Sequence, residues 1–337
     1  MGALISANLQ PIITFFALRP VAFTHRWRYL AFTPGFWLIN TMKYLPWIFS
    51  TAYQTYYIPS THGGPKIRVI VFEPVYGPSS PAKSKPRPLH FTVHGGAFMP
   101  GIAEQNADLA QRVCKNTGSV TVSVQYRGAP RFMYPSAHDD VDDALAYFLS
   151  PEAVQKFNLD LNNVTVSGLS AGVNLSLSAS MHHIGKIAAA VSFCGVVDIR
   201  IPPGEKPKPP GFPTSNPIAF MEPVFDSYAG PLRPKYIDDP RLNVILAPAD
   251  KLPTDMLFII PTMDILLHEE TELVERLKKE IEGSGRRVEA VFYEGELHGF
   301  PELPGIVSDP KKCEDAWKRM IDFLKYSNEK GGWKWAV

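Results

Sequence analysis

The residues with the most chemistry to offer are a serine between glycines, in Gly168-Leu169-Ser170-Ala171-Gly172, followed along the chain by Asp264 and then His298. A serine hydroxyl is a weak nucleophile until a base takes its proton. An imidazole base in turn needs a carboxylate to hold its tautomer. These three residue types therefore point to acyl transfer through a covalent serine intermediate. The stretch Val164-Thr165-Val166-Ser167 leads into the serine as a β-branched run, and Val173-Asn174-Leu175-Ser176-Leu177 continues beyond it at helical spacing. The chain thus turns from strand to helix at Ser170. Small residues at 168, 171 and 172 suit a turn with no room beside the serine, and the first amides of the following helix lie free at the positive end of its dipole.

The other candidates also fall at strand ends. Leu89-His90-Phe91-Thr92-Val93 reads as a short strand that runs into His94-Gly95-Gly96-Ala97-Phe98. Glycines there let the backbone approach a ligand and present amides to it, so Gly95, Gly96 and Ala171 are the expected donors to a developing oxyanion. His94 reads as structural, its ring holding the loop. Met256-Leu257-Phe258-Ile259-Ile260 reads as another strand, and Asp264 stands just past its carboxyl end, whereas Asp250 and Asp255 precede it. His298 follows the strand Arg287 to Tyr293 in a loop flanked by Gly295 and Gly299, from which an imidazole can reach back over Ser170. His138 lies among Asp139, Asp140, Asp142 and Asp143, but no second His or Cys falls at ligand spacing. That cluster reads as the negatively charged start of a helix, and no metal is expected; nor does the acyl-transfer chemistry require an organic cofactor.

Around these residues strands alternate with helical patterns, as in a mostly parallel sheet covered on both faces. Ligands bind such sheets at the carboxyl ends of the strands. With 34 Lys plus Arg against 33 Asp plus Glu in 337 residues, no charge excess points to nucleic acid or a strongly charged substrate. Cys114, Cys194 and Cys313 are scattered and odd in number. They read as buried thiols of a reducing compartment, and a cytoplasmic location is expected. The sequons at Asn163 and Asn174 flank the serine turn and fall within strand and helix, so they give no sign of glycosylation.

The division expected is 1–65 as N-terminal aromatic cap helices, 66–200 and 251–337 as the catalytic core, and 201–250 as a proline-rich lid insertion. Prolines through the last segment forbid a long helix or central strand, yet Phe220, Met221, Val224, Phe225 and Tyr228 are too apolar for a linker. The aromatic N-terminal segment has no basic leader or clear cleavage site. It is read as part of a cap over the site rather than as a segment that touches a membrane surface, and the myristoylation-like opening Met1-Gly2-Ala3-Leu4-Ile5-Ser6 as a chance match. A solvated loop is expected from Gly77 to Pro88.

The chain resembles the hormone-sensitive-lipase-like branch of the α/β-hydrolases, a family of serine carboxylesterases. The resemblance rests on His94-Gly95-Gly96-Ala97-Phe98, Tyr126-Arg127-Gly128-Ala129-Pro130 with Tyr134-Pro135-Ser136-Ala137, Ser167 through Gly172, Leu252-Pro253-Thr254 through Asp264-Ile265-Leu266, and Tyr293 through His298-Gly299-Phe300. It runs from about residue 66 to 328 and implies Ser170 as nucleophile, His298 as base, Asp264 as its orienter, and a cap built from the N-terminal helices and an insertion. Two positions depart from the family pattern: Leu169 where an acidic residue usually precedes the serine, and Ala97 in place of a third glycine. The resulting expectation is a hydrolase of a small to medium, largely apolar ester, with a specialised metabolite as one candidate. Its alternatives are acyl transfer or cyclisation, as in hydrolase-like enzymes of fungal biosynthesis, and a ligand-binding, receptor-like member of the fold. The sequence leaves the oligomeric state open.

Overall fold

A computed structural model describes residues 1–17, 23–76, 85–212, 222 and 226–335, apart from the side chains of 11, 14, 17 and 23–29. Its centre is an eight-stranded sheet made of β1 (Gln54–Ile58), β2 (Ile67–Phe72), β3 (Arg87–Val93), β4 (Val120–Gln125), β5 (Leu159–Leu169), β6 (Ala189–Phe193), β7 (Asp255–Met263) and β8 (Arg287–Leu297). The strands lie in the order β1-β2-β4-β3-β5-β6-β7-β8. β1 and β2 are antiparallel to their neighbours and the rest are parallel. Alternate residues of one strand feed opposite faces: Met256, Phe258 and Ile260 enter one core cluster and Leu257 and Ile259 the other. Both faces are covered, so the central strands read as continuous apolar runs.

The helices are α1 (Gly2–Ala17), α2 (Phe23–Tyr44), α3 (Ala107–Thr117), α4 (Ser136–Phe148), α5 (Pro151–Phe157), α6 (Ala171–His182), α7 (Leu267–Glu280) and α8 (Pro310–Lys330). α4 to α7 cover one face through Val141, Leu145, Phe157, Leu175 and Leu273. α3 and α8 cover the other through Leu109, Val113, Met320 and Leu324. α3 stops at Gly118, whose φ of 70° is a left-handed cap. α8 starts at Asp309, whose carboxylate accepts from the Lys311 amide at 2.9 Å.

Several boundaries differ from the sequence reading. The segment expected as cap helices also supplies β1, so the sheet begins before residue 66; its Thr-Tyr-Tyr-Ile run suits an edge strand paired in register with β2. β8 runs to Leu297 rather than Tyr293, because Met263 pairs with Leu297 beyond a register shift. Gly295 (φ 74°) accommodates the extra turn of chain, and its amide donates to Thr262 Oγ1 at 2.9 Å. Glu269 and Glu270, at the start of α7, are both buried. Residues 77–84 of the expected loop, and Phe220, Met221, Val224 and Phe225 of the expected lid, lie outside the described residues.

Candidate active site

The sheet register brings the candidate residues together. Val93 of β3 pairs with Gly168 of β5, so Gly95 and Ser170 each lie two residues past a matched pair of strand ends. Met263 of β7 pairs with Leu297 of β8, which makes Asp264 and His298 the next residues on neighbouring strands. Between those two pairs of strands lies β6, and the Phe193 carbonyl at its end accepts from the Ser170 amide at 2.8 Å.

Ser170 adopts φ 54° and ψ −119°, a conformation costly for any residue with a side chain. Its surroundings hold it there. The Ser170 carbonyl accepts from the Val173 amide at 3.0 Å and the Val196 amide at 3.2 Å. A Cβ on Gly168 would run into the backbone of Gly172, and one on Gly172 into the Val93 carbonyl, so both glycines are required by packing. Ala171 and its amide open α6 directly beside the serine.

His298 Nε2 lies 2.9 Å from Ser170 Oγ, and His298 Nδ1 lies 2.6 Å from Asp264 Oδ2. Asp264 is buried, and its second oxygen accepts from the Leu266 amide at 3.0 Å, which fixes the carboxylate plane. Burial works against a charged imidazole at His298, yet the adjacent Asp264 carboxylate outweighs it and holds the pKa above the ordinary histidine value. Cys194 completes the neighbourhood: its Sγ accepts from the Gly299 amide at 3.3 Å, and burial drives its thiol pKa well up. Donor atoms of Cys194, Asp264 and His298 lie within 4.8 Å of one another. Asp264 and His298 already satisfy each other there, and the thiol is held in its protonated form. The contacts form a continuous hydrogen-bonded chain from Asp264 through His298 to Ser170.

The loop opposite the serine is braced from behind. His94 is buried, its Nδ1 lies 2.8 Å from the Gly95 carbonyl, and its ring stacks on Tyr126 at 4.3 Å. Burial lowers its pKa to about 4 and keeps it neutral. Tyr126 Oη donates to the carbonyls of both His94 and Gly95 at 3.1 Å. Gly96, Ala97 and Phe98 then run through positive φ values of 101°, 53° and 59°. Ala97 thus occupies a left-handed position that glycine would adopt at less cost. Gly95 packs against the serine turn itself, since a Cβ there would lie 3.3 Å from Ser170 Cβ.

Above the serine is a cavity of about 400 Å³, bordered by Ala97, Phe98, Ser170, Asp264 and His298. Ile201, Pro203, Phe212, Tyr228 and Ala229 from the 201–250 segment supply much of its apolar wall, together with Met263, Ile265 and Leu303. Among the described residues, α1 and α2 contribute no lining. α2 instead packs Phe32 and Phe36 on Met99, behind the glycine loop.

Two cations border the cavity, Lys206 and Arg233, and nothing in the local sequence marks either. Lys206 is buried, donates to the Asp198 carbonyl at 2.6 Å and pairs with Glu269. Arg233 pairs with Asp226 and donates to the Ile199 carbonyl at 2.7 Å. Glu269 also accepts from the amides of Val197 at 2.9 Å and Asp198 at 3.1 Å. Burial raises its pKa to about 7 against the opposing pull of Lys206. No local pattern marks Lys206 and Glu269 as partners; only the return of the chain from the proline-rich segment joins them. His138 is buried, its Nδ1 2.8 Å from Tyr228 Oη and its Nε2 2.9 Å from Asn174 Oδ1, so it ties α4 and α6 to the cavity wall.

A family model described as alpha/beta hydrolase fold matches residues 90–302, and the chain belongs to that family. Arylacetamide deacetylase of Oryctolagus cuniculus is 37% identical over 112 residues, covering 33% of this chain and 28% of that protein. An esterase of Gibberella moniliformis is 24% identical over 244 residues, covering 69% of this chain and 75% of the relative. The chain therefore spans little more than a quarter of the mammalian relative and three quarters of the fungal one. Among solved structures, a hyperthermophilic esterase from Pyrobaculum calidifontis superposes with a TM-score of 0.69 at 23% identity, covering 96% of this chain and 97% of the other. EstE1, a thermophilic carboxylesterase from a metagenomic library, gives 0.69 at 24% identity, with 89% and 97% covered.

Proposed function

We propose that the protein is a serine carboxylic-ester hydrolase acting on a small to medium, largely apolar ester. The observation that carries this reading is the unbroken path from Asp264 through His298 to Ser170, with contacts of 2.6 and 2.9 Å, at the floor of an apolar cavity. Ser170 Oγ attacks the ester carbonyl carbon while His298 Nε2 takes its proton. The carbonyl oxygen becomes an oxyanion and receives the amides of Gly95, Gly96 and Ala171. The C–O bond to the alcohol then breaks, and the leaving oxygen takes the proton back from His298. Water repeats the sequence on the acyl-enzyme: His298 accepts its proton, the hydroxyl adds to the acyl carbon, and Ser170 departs with the proton restored.

Intact mass after exposure to a fluorophosphonate, beside a Ser170→Ala control, tests the reading. One adduct on the wild type and none on the variant is expected. A folded wild type that takes up no adduct overturns it. The apolar wall supplied by residues 201–250 favours one second reading, in which an acyl-enzyme shielded from water waits for another nucleophile in a biosynthetic acyl transfer or cyclisation. Acceptor alcohols and amines supplied to the labelled acyl-enzyme separate the two outcomes by product mass.

A further inference from the structure

The helix pair α1–α2 leaves an apolar surface that the function above does not use. The pair is antiparallel: the Met1 ammonium before α1 donates to Tyr44 Oη at the end of α2 at 2.5 Å, and midway the Asn8 carbonyl accepts from Trp37 Nε1 at 2.5 Å and the Asn8 side chain from Asn40 Nδ2 at 3.1 Å. α1 contains no Asp, Glu, Lys or Arg. Its residues Ile5, Leu9, Ile13 and Phe16 are all exposed and fall at spacings of four, four and three, so they share one helix face. On the other strip Leu38, Met42 and Leu45 are more than half exposed, and Phe49 just beyond is 96% exposed. More than half of the exposed large hydrophobic side chains among the described residues belong to this first part of the chain. Soluble monomers rarely expose contiguous apolar surface of this kind without a partner for it.

Charge identifies the partner. Residues 1–49, which carry this surface, contain no Asp or Glu against Arg19, Arg26, Arg28 and Lys43, of which Lys43 pairs with Glu302. A second copy of the chain docked on this face would set two acid-free, cationic segments against each other. An anionic lipid surface attracts such a segment while it accepts the apolar side chains. No helix among the described residues is long and apolar enough to cross a membrane.

We propose that α1 and α2 dock on the surface of an anionic lipid bilayer, with their exposed apolar side chains entering the headgroup boundary and the net positive charge of this acid-free segment favouring anionic over neutral lipid. The docked pair touches the active-site supports at two points: Phe32 and Phe36 pack on Met99 behind the glycine loop, and Lys43 pairs with Glu302 at 3.2 Å, in the turn that follows His298. Lipid contact and the ester site thereby share a frame, although the docking itself does not depend on the ester-hydrolase reading.

The test is flotation of the full chain with phosphatidylcholine vesicles and with phosphatidylcholine–phosphatidylserine vesicles, at low and at high salt, beside a Leu38→Glu/Met42→Glu double variant. A second variant, Phe49→Glu, changes a side chain too exposed to affect folding. The wild type is expected to float with the anionic vesicles and to lose binding as salt rises. Each variant is expected to partition at least about tenfold more weakly, since it sets a charge where an apolar side chain entered the interface, with thermal unfolding unchanged for Phe49→Glu. Equal partition onto neutral and anionic vesicles, wild-type binding retained by Phe49→Glu and the double variant, or a wild type that stays unbound overturns the proposal. A wild-type dimer in light scattering that the variants abolish, without vesicle binding, gives the surface to a second copy and overturns it equally.

Discussion

A Cβ added at Gly95 would lie 2.8 Å from the Leu169 carbonyl oxygen and 3.3 Å from Ser170 Cβ. Leu169 Cδ2, also at 2.8 Å, can swing away. The carbonyl cannot, because it belongs to the last residue of β5, and Leu169 is paired with Phe193 of β6. The glycine loop must therefore retreat from the serine turn by roughly 0.5 Å to restore ordinary contact, about the tolerance within which a site keeps its productive geometry. Under the proposed mechanism that retreat carries the Gly95 and Gly96 amides away from the oxyanion while His298 and Ser170 stay in place. Losing one such donor costs about 2.7–4 kcal/mol of transition-state stabilisation. Gly95→Ala should accordingly lower kcat on p-nitrophenyl butyrate by about a hundredfold or more, with KM little changed, because the donors act on charge that develops only in the transition state. Fluorophosphonate labelling of Ser170 should persist at a reduced rate, and overpacking should lower stability by about 1–3 kcal/mol. A folded Gly95→Ala enzyme with kcat within about threefold of wild type would refute the assignment of this loop as the oxyanion site.

The proposed base must be neutral to accept a proton, and Asp264 stabilises its charged form. The pH profile of kcat/KM should therefore rise through an apparent pKa above 6.5, the ordinary histidine value; a midpoint below that value would contradict the pairing. The same shift makes the pair a stabilising element that is fully present below the unfolded-state histidine pKa and is lost as pH rises through the raised folded value. Lys206→Met removes one partner of a buried pair and should cost about 3 kcal/mol in urea unfolding at pH 8. The loss should be smaller at pH 6, where Glu269, already raised to about 7, takes up a proton; equal losses at the two pH values would sink this account. His138→Phe strands Tyr228 Oη and Asn174 Oδ1 and should destabilise by about 2–4 kcal/mol, visible as a lowered Tm, whereas an unchanged Tm would show that water replaces both contacts.

What the sequence could disclose was local. The β-branched run into Ser170, the small residues around it and the strand before Asp264 are each written within about ten consecutive residues, and they suffice to predict the sheet and the order of the three candidates. The end of β8 is not legible locally, because Glu294-Gly295-Glu296 has the composition of a turn. Only the pairing of Met263 with Leu297 keeps it in the sheet. Lys206 and Glu269 are 63 residues apart, and their burial depends on a chain path that proline content alone does not specify. Tyr126 likewise gives no sign by itself that its hydroxyl holds two carbonyls of the glycine loop. The edge strand β1 was hidden by an aromatic composition that suits a helix packed on a core as well as a strand.

The lining segment 201–250 is spliced between β6 and β7, and those two strands pair in unbroken register from Ala189 with Asp255 to Phe193 with Ile259. A parallel connection tolerates any length that lets the chain return to the same starting edge. The part that shapes the cavity is therefore one continuous connection whose length the pairing of β6 and β7 does not set, held to the core by side chains such as Lys206 on Glu269 and Tyr228 on His138. A change in the shape of the cavity can thus be confined to one stretch of chain, while the strand ends that bear the proposed catalytic residues keep their places.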